Sequence, residues 1–277
     1  MNDAMPLRRI LVALDQSAPS LCALETAAQL AAENDAELVG LFIEERQLHT
    51  LAALPVTRLV GAAGPSQLDP ALMRRALKVQ AAQARDALSR TAEARRLAWS
   101  FRIVEGDADA VLAEEARHCD LLALGRCSSP GAQRRHLGRI ARQASRDVSC
   151  SLLLAPAPHR ERRPVLVLYD GDERVLNAAG ILARQQGRPL APVVIDDGGN
   201  GTAARADACR QWCDGHEFTG ASVRTLSPDR FTALLAQEEA GLLVAARNSP
   251  SLPASGQDAL LEDLPIPVLL LRDESLG

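Results

Sequence analysis

Arg8-Arg9-Ile10-Leu11-Val12-Ala13-Leu14-Asp15 and Arg163-Pro164-Val165-Leu166-Val167-Leu168-Tyr169-Asp170 are the two stretches on which the reading of this chain turns. Each is a short, continuous, partly β-branched apolar run that closes on an aspartate, the pattern of a strand buried on both faces. A helical stretch follows each one, with Leu21, Leu24, Ala28 and Ala31 on one face in the first copy and Val175, Ala178, Ala179 and Leu182 in the second. Both aspartates are therefore expected at a strand-to-helix turn.

Working outward, the alternation continues twice over. Second strands fall at 36–43 and 190–195, and second helices at 70–96 and 202–212. In the first of these helices Met73, Leu77, Ala81, Ala84 and Leu88 form the face laid on the sheet. Third strands (98–105 and 222–226) and third helices (107–118 and 229–239) come next. The fourth strands are nearly the same letters, Asp120-Leu121-Leu122-Ala123-Leu124-Gly125-Arg126 and Gly241-Leu242-Leu243-Val244-Ala245-Ala246-Arg247, and the final strands are 150–154 and 267–271. Alternating strands and helices imply parallel pairing, right-handed crossovers and helices on both faces. The expected fold class is thus α/β: two tandem Rossmann-like, three-layer α/β/α domains with parallel five-stranded sheets, spanning residues 1–157 and 164–277. The segment 155–164, rich in Pro and charge, is the linker.

The chain has 277 residues, which suits two domains better than one. Aromatics make up only 3%, so the cores are expected to be aliphatic. A net charge of −4 gives no global field for nucleic acid or an anionic membrane. No run of about 18 apolar residues occurs, and the first strand begins close to Met1, so neither a membrane span nor a cleavable signal is expected and the protein reads as cytoplasmic. The cysteines Cys22, Cys119, Cys127, Cys150, Cys209 and Cys213 show no CxxC pair and no zinc spacing, and read as reduced thiols. Cys209 and Cys213, one helical turn apart, read as helix packing rather than redox chemistry.

The strand ending in Asp15, the serine two residues on, the Ala- and Leu-rich helix and the late glycine loop together resemble the universal stress protein family, in a tandem-domain form. Nearly the whole chain carries the resemblance, repeat by repeat, and it implies the adenine nucleotide alpha-hydrolase-like variety of the fold. Members that bind ATP carry Gly, two residues, Gly, nine residues, then Gly and Ser or Thr. Here the frame runs from Gly125 through Arg126 and Cys127 to Ser128, and then to Gly138 and Arg139. The spacing is kept while two of the four motif positions have changed. Glycines admit phosphate oxygens to backbone N–H groups and a helix N-terminus adds its dipole. Arg139 either pairs with an anion or fills its place. By this resemblance Asp15 would lie against the nucleoside and Ile43 would supply an adenine wall. Gly125, Arg126, Ser128, Gly138, Arg139 and Ile140 would line the phosphates. The ligand implied is ATP or another adenine nucleotide, with Mg only if ATP is bound.

The second repeat has lost the first glycine and carries Pro250 and Pro253, each without an amide donor, so it is not expected to hold ATP in this manner. Gly256 reads as a turn residue. The resemblance also implies that the final strands of the two repeats pair antiparallel through Leu152–Leu154 and Val268–Leu271, making an intramolecular pseudo-dimer. A homodimer and an unidentified protein partner are further expectations. Arg135, Arg139, Arg142 and Arg146 form a helical stripe that reads as a solvated face, with an anion- or partner-docking surface as the alternative. Residues 47–70 read as a long irregular insertion absent from the second repeat, with Gly61–Pro65 mobile. No Ser–His or Cys–His spacing points to a catalytic triad. The expectation is a non-catalytic stress-response binding protein, against a nucleotide-free interaction module and, third, a weak ATPase.

Overall fold

The computed structural model describes residues 7–45, 58–61, 64–67, 70–125, 148–156, 163–196, 198, 201–236, 240–252, 264 and 266–272. The first half contains β1 (Arg9–Ala13), α1 (Ala18–Asn34), β2 (Glu37–Glu45), β3 (Arg58–Gly61), β4 (Gly64–Gln67), α2 (Pro70–Ala94), β5 (Trp99–Gly106), α3 (Ala108–Ala116), β6 (Leu121–Gly125) and β7 (Ser151–Ala155). The second contains β8 (Val165–Leu168), α4 (Glu173–Gln185), β9 (Leu190–Ile195), α5 (Thr202–Gly215), β10 (Arg224–Leu226), α6 (Pro228–Ala236), β11 (Leu242–Ala246) and β12 (Val268–Leu271).

Ten of these strands form one sheet in the order β10-β9-β8-β11-β12-β7-β6-β1-β2-β5. Every neighbouring pair is parallel except β12 with β7, which run antiparallel with Val268 opposite Leu154, Leu269 opposite Leu153 and Leu270 opposite Leu152. From that seam outward, each half repeats the same order. Register repeats too: Ile10 stands between Leu121 and Leu38 as Val165 stands between Leu242 and Leu190. The seam forms because β7 and β12 would otherwise be apolar edge strands with unpaired backbone groups. Leu153 and Leu269, fully buried, sit at its centre.

Alternation along the strands divides the core. Ile10, Val12, Val165 and Val167 pack with α1, α2, α4 and α5 on one face, while Leu11, Leu166 and Leu168 pack with α3 and α6 on the other. Because the halves run in opposite directions at the seam, their carboxyl ends leave the sheet at opposite edges.

Residues 47–70 depart from the expected irregular segment. β3 and β4 pair antiparallel from Arg58 with Gln67 to Gly61 with Gly64, a separate two-stranded sheet within this stretch, while 62–63 of the segment expected to be mobile lie outside the described residues. Leu59 and Val60 are strand formers, and only two residues separate Gly61 from Gly64, the length of a tight hairpin connection. Residues 46–57, like the linker residues 157–162, lie outside the described ones. In α1 the buried face also takes in Ser20, Ala23, Ala27 and Leu30, while Leu21 is only partly covered.

The two halves tie down their first strands with opposite chemistry. In the first, the Asp120 carboxylate accepts the amides of Arg8 and Arg9 at 2.8 and 2.9 Å. The matching position in the second is Gly241, where a Cβ would meet the Arg188 guanidinium. Arg188 instead donates to the carbonyls of Arg163 and Pro164 at 2.5 and 3.3 Å. A carboxylate holding N–H groups is thus replaced by a cation holding C=O groups, and either satisfies backbone groups at the partly buried strand start.

Candidate functional site

Asp15 lies two residues beyond β1, exposed, at the turn into α1. Its Oδ1 accepts the Ser17 amide at 3.0 Å, and Gln16 between them takes φ 64°. Ser17 is the N-cap of α1: its Oγ accepts the Ser20 amide at 3.2 Å, and Pro19 sits in the first turn, where its missing N–H costs nothing. Ser20, buried, donates its hydroxyl to the Ser17 carbonyl at 3.0 Å. The Ser-x-Pro pattern at 17–19 was the signal for this cap, and the sequence reading passed over it.

The second half builds the same turn. Asp170 Oδ1 accepts the Asp172 amide at 3.4 Å, and Gly171 takes φ 117°. Asp172 caps α4 by accepting the Arg174 amide at 3.0 Å. Both aspartates therefore shape a helix entry before any ligand is considered. Arg174 also chelates the Asp172 carboxylate, with Nη2 at 2.7 Å, which holds that carboxyl below its ordinary range and places a guanidinium across the first turn of α4.

Gly125 ends β6 and is buried. A Cβ there would collide with backbone atoms of Pro19 and Ser20, so the absence of a side chain lets the strand end touch the first turn of α1. Its α-carbon thus faces a helix rather than open space. Ile43, partly exposed in β2 and opposite Val104 of β5, packs on the α3 face. The structure accordingly brings Asp15, Ile43 and Gly125 to the carboxyl ends of three adjacent strands, β1, β2 and β6. Between β1 and β6 the strand order reverses, the position at which open parallel sheets leave a crevice. Arg126, Ser128, Gly138, Arg139 and Ile140 lie outside the described residues, as do Arg135, Arg142, Arg146 and Gly256.

In the second half the segment after β11 closes on itself. Arg247 N donates to the Leu271 carbonyl, Ser249 N to the Ala246 carbonyl, Ser251 N to Ser249 Oγ and Leu252 N to the Ser249 carbonyl, at 3.0–3.3 Å. Pro250 has no N–H. These four amides are hydrogen-bonded within the fold. The Arg247 side chain crosses the seam and donates to the carbonyls of Val148 and Cys150 just before β7. It works as a clasp between halves, a role its sequence neighbourhood did not announce.

Burial pushes Cys119 and Cys209 up to about 12 and Cys150 up to about 11, which favours the protonated thiol at neutral pH. No described helix is long and apolar enough to cross a membrane.

Comparison with known proteins fits this geometry. A family model described as the universal stress protein family matches residues 6–156, more than half of the chain. No curated protein matches it. Among solved structures, a universal stress protein from Archaeoglobus fulgidus DSM 4304 is similar with TM-score 0.72 at 16% identity, over 99% of this chain and 99% of that one. A putative universal stress protein from Pseudomonas aeruginosa UCBPP-PA14 is similar with TM-score 0.62 at 16% identity, over 97% and 95% of the two chains. A functionally unknown protein from Pseudomonas aeruginosa PAO1 gives 0.61 at 16% identity, over 98% and 94%. At these identities the likeness is one of fold. The family match over the first half, on a fold of this kind from end to end, places the chain in the universal stress protein family.

Proposed function

We propose that this protein is a non-catalytic stress-response binding protein whose first half takes an adenine nucleotide at the carboxyl ends of β6, β1 and β2, while the second half is structural. The observation that supports this reading is the contrast between the two strand-order switch points. In the first half an exposed Asp15 and the capped N-terminus of α1 border the crevice. In the second, the amides after β11 are consumed internally and Arg174 lies over the start of α4. A helix N-terminus favours an anion, and an aspartate beside a nucleoside offers an acceptor to a ribose hydroxyl. ATP would bring Mg with it; an uncharged or monophosphorylated ligand would not.

Calorimetric titration of the full chain with Mg-ATP and with AMP tests the reading. One site per chain is expected, weakened by Asp15→Ala and abolished by Gly138→Asp. Two sites per chain would contradict the asymmetry, and absence of heat with either nucleotide would reject the ligand. The second reading is a nucleotide-free interaction module. It is favoured by Gly125, whose lack of a side chain is already accounted for by the packing of α1.

A further inference from the structure

A cleft of about 450 Å³ opens over the β7–β12 seam, and Asp15, Ile43 and Gly125 take no part in it. Leu153 and Leu269, buried, lie beneath it, the outer face of α1 at Cys22, Glu25 and Gln29 lines it, and Arg95 and Arg188 also border it. Volumes of about 300–1,000 Å³ are those of small-molecule sites.

The second half shows what that wall is shaped to carry. Aligning the two halves on Asp15 and Asp170 puts Cys22, Glu25 and Gln29 of α1 on Asn177, Gly180 and Arg184 of α4. The helices that follow end alike: Leu97 N bonds to the Ala92 carbonyl and Phe218 N to the Cys213 carbonyl, with Arg96 at φ 57° and Glu217 at φ 62°. Thr91, Arg95 and Leu97 therefore stand where the second half has Trp212, His216 and Phe218. There the Trp212 indole lies over Gly180 and donates to Asn177 Oδ1 at 3.0 Å. His216 and Phe218 stack on it at 4.2 and 5.8 Å, and Arg184 lies 4.8 Å above the Phe218 ring. A flat bicyclic ring thus covers this helix face in the second half.

The first half supplies no ring. Glu25, in the place of Gly180, is drawn aside by Arg95 at 2.6 Å and Thr91 at 3.3 Å. The same helix face is solvent-exposed at Glu25 and Gln29, beside Arg95, the counterpart of the stacked His216. A guanidinium stacks on an aromatic face as an imidazole does. Among the charged side chains lining the cleft, Arg95 and Arg188 stand against Glu25, with Arg95 paired to Glu25 and Arg188 also facing Glu33 outside the cleft.

We propose that the cleft over the seam binds a planar aromatic monoanion of about bicyclic size, its ring on the outer face of α1 where the second half places Trp212. This site is independent of the nucleotide reading, since it shares no described residue with it.

The test uses the full-length protein with indole-3-acetate as probe, followed by ligand-observed NMR and calorimetry. Saturable binding of one probe per chain with Kd below about 1 mM is expected, in line with a ligand of this size. Uncharged 3-methylindole should bind about fivefold or more weakly. Glu25→Gly with Thr91→Trp rebuilds the indole plug and should lose at least about tenfold in affinity while the thermal midpoint holds. Should that double variant fail to fold, Arg95→Ala, which removes only one partner of an exposed ion pair, should still weaken the probe about fivefold. Binding must persist with Asp15→Ala and in saturating ATP, which separates this site from the nucleotide reading. No saturable binding at about 5 mM, or wild-type affinity in the folded plugged variant, overturns the proposal.

Discussion

Gly125→Ala tests what the glycine at the end of β6 is for. The new methyl group would overlap the amide nitrogen and α-carbon of Ser20 and the carbonyl carbon of Pro19. All three are backbone atoms, so no side chain can swing away and the first turn of α1 has to lift from the sheet. Inserting one carbon into a packed core costs about 1–3 kcal/mol, and a backbone collision belongs at the upper end. Lifting the turn also disturbs Ser20, buried, and its 3.0 Å bond to the Ser17 carbonyl. A loss of about 3 kcal/mol is expected, which for a chain of this size lowers the melting temperature by about 6–12 °C. Differential scanning calorimetry, with urea unfolding followed by circular dichroism, measures it. The control is Ala246→Gly at the matching position of β11, where an alanine is already accommodated; it should cost only about 1 kcal/mol. A Gly125→Ala protein melting within about 1 °C of wild type would refute the packing account and return the glycine to a ligand role.

Other substitutions probe the same architecture. Ser17→Ala removes the cap of α1 and should cost about 1 kcal/mol in urea unfolding, with Ser17→Asp restoring most of it. Arg188→Met leaves the carbonyls of Arg163 and Pro164 without their donor and should destabilise the protein by about 1–3 kcal/mol. Burial raises the Glu33 carboxyl above its ordinary 4.5, against hydrogen bonds from Gln29 and Gln186 and the charge of Arg188. The folded protein then holds this proton more tightly than the unfolded chain, so its contribution to stability is lost as pH rises above 4.5. Glu33→Gln should therefore stabilise the protein at neutral pH and lose that advantage below about pH 4, read from melting temperatures across pH. A variant less stable than wild type at pH 7 would contradict this sign.

The alternation of apolar runs with helical faces made most of the fold legible, because in a doubly covered parallel sheet each strand must be apolar throughout and each helix apolar along one stripe. The repeat was legible for the same reason: Ile10 and Val165 occupy equivalent registers, and the letters around Leu121 and Leu242 follow suit. The hairpin at 58–67 was missed, since four-residue strands joined by glycines and alanines carry too little periodicity to separate from loop. At the site, Asp15 could be placed at its turn from the strand pattern. The contact of Gly125 with Pro19 and Ser20 could not, because a motif frame counts spacing along the chain and is silent about what crosses the backbone.

From the sequence alone followed the alternation, the twofold repetition, the apolar character of the final strands, and the loss of the first motif glycine with the gain of two prolines after β11. Tertiary structure alone decided that Asp120 and Arg188 do equivalent work with opposite charge, and that Arg247 clasps the other half across the seam. It also decided that Trp212 fills over α4 what α1 leaves open. Local patterns are set by periodicity, which neighbours along the chain determine. These three arrangements depend on groups 24 to 112 residues apart meeting in space: packing within each half brings Asp120 and Arg188 to their strand starts and Trp212 over α4, and the antiparallel seam brings Arg247 to the other half.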